Sequence, residues 1–126
     1  MDDNTATIQR LLTLPENDLY LEIGQHLSGK PAFPLPPRQL IEVARSWCHD
    51  KLAKTVCTTE QLRLLAKQDV PTQELILSVC GVLDVVSHVL GSVPAITAAA
   101  LIVRVGLHKF CGTIWASACQ SEKTNG

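Results

Sequence analysis

The stretch from Val70 to Cys119 constrains this chain most. It holds two apolar runs joined at Gly91-Ser92-Val93-Pro94. In the first, from Glu74 to Leu90, the polar and small residues Glu74, Ser78, Gly81, Asp84 or Val85, and His88 advance by three or four. On a helix that spacing makes one stripe, and the remainder is Leu, Ile and Val. Valine favours sheet, but the run is too long for one strand and does not alternate. In the second run Pro94 suits a first helical position, where its missing N–H is not needed. Ala98, Ala99 and Ala100 are strong helix formers and small enough for close helix approach. Gly112 is the expected end or bend of this helix. The two runs predict helices over 72–90 and 94–118, folded as a hairpin. A helix apolar over most of its circumference is normally buried or in a membrane.

The segments before the hairpin read as amphipathic helices that wrap it. Asn4 or Thr5 is the expected cap of a first helix ending near Leu14, with Ile8, Leu11 and Leu12 on one face. Pro15 opens a second helix to about Ser28, lined by Leu19, Ile23 and Leu27 and closed by Gly29. Lys30 to Pro37 contains four prolines, which exclude helix and favour an extended strap. Its two PxxP spacings match an SH3 ligand, but the simpler reading is a crossover that tucks Phe33 and Leu35 onto the core. From Pro37 to Val56, Leu40, Val43, Ala44, Trp47, Cys48, Leu52 and Val56 form one apolar face. Thr58 and Gln61 have the spacing of a capping box for a short helix carrying Leu62, Leu65 and Ala66. The expected fold class is therefore all-α: about six helices in one domain over 1–119, built around the C-terminal hairpin, with 120–126 a loose tail. That helix count is shared with Death-fold adaptor domains, an analogy of architecture that identifies no function.

Charge narrows the function. The formal net charge is −1, which argues against the basic stripe of a nucleic-acid binder. Arg38, Arg45, Lys51 and Lys54 share a helix, but Glu42 and Asp50 interrupt them, as on a solvated face. The first residues are acidic and lack a signal-peptide pattern. The five cysteines, at 48, 57, 80, 111 and 119, are odd in number and form no CxxC pair. All five are expected to be reduced thiols of a cytoplasmic protein.

Three pairs invite a chemical reading: Cys48-His49, His108 with Cys111, and Asp84 with His88. Adjacent helical residues point about 100° apart, which weakens the first as a nucleophile–base dyad. Two ligands do not close a zinc site, and the other two pairs lie roughly 16 Å apart along the expected hairpin, so they cannot share an ion. No catalytic, cofactor-binding or metal-binding residue is assigned, and no cofactor is expected. Asp84 and Arg104 are more informative. They interrupt apolar runs at nearby heights of the hairpin, so a buried structural pair is expected, with His88 beside it.

Between Asp84 and Arg104 no acidic or basic side chain other than His88 occurs, a span long enough for a bilayer. The turn at its middle would expose backbone groups that lipid cannot satisfy, so a core role is favoured over a membrane role. The expected function is a protein–protein interaction module without catalysis: an adaptor, a regulatory subunit or a neutraliser of a partner protein. A homodimer would bury surplus apolar surface. The alternatives are a small membrane-acting protein that inserts the 75–103 hairpin and, less favoured, an enzyme with a cryptic thiol site.

Overall fold

The computed structural model describes residues 2–29 and 35–125, with side chains over 5–29 and 35–116. Every element among them is helical: α1 (Asp2–Thr13), α2 (Glu16–Ser28), α3 (Pro37–Trp47), α4 (Ala53–Val56), α5 (Glu60–Ala66), α6 (Thr72–Val85), α7 (Ser87–Leu90), α8 (Ala95–Val105) and α9 (Leu107–Asn125). The all-α expectation holds. Nine helices stand among the described residues where six were expected, because three expected long helices, over 37–56, 72–90 and 94–118, are each divided in two.

Proline sets four of the starts. Pro15, Pro36, Pro71 and Pro94 stand immediately before α2, α3, α6 and α8, each in extended backbone and none with a side-chain cap. A ring-locked φ fixes where the chain enters each helix without help from a hydroxyl. The capping box expected at Thr58 and Gln61 does not form. Thr58 and Thr59 instead donate their hydroxyls back to the carbonyls of Thr55 and Val56, at 2.8 and 2.6 Å. Nor do Asn4 and Thr5 start α1, which already begins at Asp2.

α3 continues through a π-helical turn, Cys48–Leu52, into α4. Leu40, Ala44 and Trp47 bury one face, and a regular helix would bring Lys51 onto it next. The wider turn carries Lys51 out to solvent and places Leu52, Ala53 and Val56 in the core. Val43, expected on the apolar face, is exposed. Phe33 lies outside the described residues, and Leu35 is 37% exposed rather than tucked in.

α8 is the axle of the fold. Its residues Thr97 to Ile102 are all buried, and it packs against α1, α2, α6 and α9. Alanines over two of its turns let four neighbours approach one helix. The expected hairpin is thus the α6–α8 pair, and α6 buries only Ile76, Val79 and Leu83 against it. The first arm ends sooner than expected, with a break at Val86 before the single turn of α7. The second arm bends at Gly106, not at Gly112, and α8 and α9 meet at 81°. Gly106 has φ +100°, a conformation that a Cβ would strain. Helical backbone then runs to Asn125, through the segment expected to be a loose tail.

The cysteine expectation fails at two positions. Cys57 and Cys111 form a disulfide, Cα to Cα 5.5 Å, that ties α9 to the end of α4. They stand 54 residues apart, so only the packing of α9 across α4 brings them together. Cys48 and Cys80 are free thiols. The reducing compartment inferred from the cysteine count loses that support.

Candidate functional site

Two surfaces have the geometry for function: the outer face of α6, and a cleft where α5 meets α9.

On α6 the stripe seen in the sequence faces away from the core. Glu74, Ser78, Gly81 and Val85 lie opposite Ile76, Val79 and Leu83, with Leu77 and Asp84 on one flank. Val85 is 79% exposed and Leu77 43%. A Cβ built on Gly81 would meet nothing within 4 Å, so the middle of the face is bare backbone. Glu74 and Asp84 are exposed carboxylates at its two ends.

The cleft has a volume of about 520 Å³ and is lined by Cys57, Thr59, Arg63, Leu64, Ile114 and Trp115, among others. Three links fasten α9 beside it. The disulfide is one. Trp115 donates Nε1–H to the Cys57 carbonyl at 2.8 Å, and His108 Nε2 donates to the Ala66 carbonyl at 3.2 Å. The His108 ring meets the Trp115 ring edge to face, with centroids 5.6 Å apart.

Asp84 and Arg104 are not brought together. The heights estimated for the hairpin do not fix which way each side chain turns about its own helix. Asp84 points outward beside Val85, while Arg104 leaves α8 towards α1 and donates Nη1 to the carbonyls of Leu11 and Leu14. Those carbonyls belong to the last turn and exit of α1, where the orphan acceptors and the negative end of the helix dipole lie. Arg104 is therefore a structural cap supplied from another helix. His88 is exposed and lines a second cleft with Trp47, Lys51, Lys54 and Ser92, well apart in role from Arg104.

The other pairs resolve as follows. Cys111 is consumed by the disulfide, and His108 is engaged by Ala66 and Trp115. Cys48 is buried, and burial pushes its thiol up to about 12, so it stays protonated and a poor nucleophile. Burial also raises Cys80, with the Asp84 carboxylate adding to the effect. Among the described residues no group of three or more His, Cys, Asp or Glu side chains gathers in a form that would hold a metal ion. Sequence reasoning missed the disulfide and the cleft. A Trp four residues after Cys111 was the one signal available, since a Trp beside a buried Cys on one helix face needs a partner for its N–H.

No single helix among the described residues is long and apolar enough to cross a membrane, although α8 with the first part of α9 passes as a bent pair. The chain matches no family model, no curated protein and no solved structure.

Proposed function

We propose that the chain is a protein–protein interaction module that docks a partner's helix across the outer face of α6. The observation that carries this reading is the exposed row of Leu77, Gly81 and Val85 beside the exposed carboxylates Glu74 and Asp84. Leu77 and Val85 offer apolar contact, and Gly81 lets a partner backbone approach closely. The carboxylates select a partner helix with an apolar face flanked by Lys or Arg. They disfavour a second copy of this chain. An antiparallel two-fold between Ser78 and Gly81 sets Glu74 of one copy beside Val85 and Asp84 of the other, so carboxylates crowd at both ends. Binding is favoured over turnover because the reactive side chains have structural duties: Cys111 is bridged, His108 is hydrogen-bonded, and Cys48 is held protonated.

A photo-crosslinking residue placed at Ser78 in the native host tests the reading. The expected adduct is a helical segment with basic flanks, absent when the crosslinker sits at Lys54 and lost on Val85→Glu. Equal capture at both positions, or adducts only between copies of this chain, would overturn it.

A further inference from the structure

We infer that the Cys57–Cys111 disulfide is a redox latch: it holds α9 folded back at Gly106, and a thiol reductant releases α9 to turn about that glycine. Over its described side chains, 107–116, the attachment of α9 is thin. Of its described side chains only Leu107 and Cys111 are buried, while Phe110, Ile114 and Trp115 are partly covered. The bridge therefore supplies one of the two deep anchors. Among its described residues, the side-chain hydrogen bonds from Trp115 and His108 land on the same α4–α5 side as the bridge. The 81° bend falls on one residue, Gly106, whose φ of +100° suits no other residue type and whose freedom allows other backbone states once α9 is untied. The remainder keeps its own packing, since α8 is enclosed by α1, α2 and α6, and α2 packs along α3. An element with few buried contacts opens at lower free energy than the core it lies on.

The sulfurs are buried, so the reductant needs a route, and the cleft of about 520 Å³ supplies one: Cys57 lines it and Cys111 does not. A thiolate of a small dithiol attacks Cys57 Sγ. A bond forms between those sulfurs, the Cys57–Cys111 bond breaks, and Cys111 leaves as a thiolate that takes a proton. The second thiolate of the dithiol then closes on its own sulfur in the mixed disulfide and displaces Cys57, which is protonated in turn. The chain gains two electrons and two protons, and the dithiol becomes a cyclic disulfide. This inference does not rest on the α6 reading.

Hydrogen exchange of the full chain, read by mass spectrometry with and without dithiothreitol, tests it. On reduction the amides of 107–116 should exchange at least about tenfold faster, while those of α2, α6 and α8 keep their protection. Cys57→Ser with Cys111→Ser should reproduce the pattern without reductant, and if that variant fails to fold, the titration of the native chain with dithiothreitol decides alone. Protection of α9 unchanged by reduction would overturn the latch. So would loss of protection in every helix together, which would make the bridge a staple of the whole fold.

Discussion

Arg104 donates to a helix end that lies 90 residues earlier in the chain. A hydrogen bond from a charged donor contributes about 1.5–3 kcal/mol, and its loss leaves the α1 carbonyls short of a partner. Arg104→Met should therefore destabilise by about 2 kcal/mol, whereas Asp84→Ala at the exposed face should stay within about 0.5 kcal/mol. Denaturant melts of the two singles and the double should give additive losses, because the residues share no contact. Cys48 yields a second prediction at this scale. Its thiol rises from 9.0 to about 12 on folding. Above pH 9 the unfolded chain loses this proton while the folded chain keeps it, so stability falls as pH rises through that window. The slope approaches about 1.4 kcal/mol per pH unit, and the difference should vanish in Cys48→Val, read from melts of both proteins between pH 8 and 11. The depth of Cys48 was legible in the sequence, and the partner of Arg104 was not. Cys48 sits on a regular apolar spacing and was readable as core. The Arg104 partner is a backbone carbonyl, which no residue type announces.

Helix contact turns on two glycines with opposite surroundings. A Cβ on Gly24 would lie 2.2 Å from the Leu40 carbonyl oxygen, so this glycine sets how closely α2 approaches α3. Backbone cannot yield as a side chain does, and Gly24→Ala should destabilise by about 3 kcal/mol. Gly81 meets nothing, and Gly81→Ala should stabilise α6 by roughly 0.5–1 kcal/mol on helix propensity alone while weakening any partner that uses the bare backbone. Thermal unfolding of both variants gives the signs directly. Across the Arg45 end of this same interface, the guanidinium lies 5.1 Å from the Tyr20 ring centroid and donates to Asn17 Oδ1 at 2.9 Å, a fastening on the outside of the pair. At this scale the periodic spacings placed α2, α3, α6 and α8 well, because burial follows the 3.6-residue repeat wherever one face meets a neighbour. The breaks were not legible. Gly106 and Gly112 are alike in their freedom to bend a helix, and the residue pattern does not choose between them. The π-helical turn at Cys48–Leu52 is likewise a phase correction that appears only when both halves of the helix have a core to face.

Across the whole molecule, the enclosure of α8 by four helices predicts that the oxidised chain unfolds as one cooperative unit. Far-UV circular dichroism and the fluorescence of Trp47 and Trp115 should therefore follow the same denaturant curve. After reduction the signal of Trp115, isolated in a Trp47→Phe background, should run ahead of the helical signal. Coincident curves in both states would speak for a single unit that includes α9. The all-α architecture and the central place of the 72–105 region were readable from residue pattern. The covalent tie and the surface clefts were not, since they arise from where distant segments dock.

The enclosure of α8 also determines which positions of the chain have freedom to vary. In a saturation library screened for folded protein, Thr97 to Ile102 should tolerate almost no enlargement at any azimuth, since no side of that helix faces water. On α6 tolerance should alternate with the turn of the helix: Ile76, Val79 and Leu83 restricted, Glu74, Ser78 and Val85 open. A map of that shape separates selection for fold from selection for binding. Any constraint found at Glu74, Leu77, Ser78 or Val85 in a screen for function, and missing in the screen for folding, then belongs to a partner.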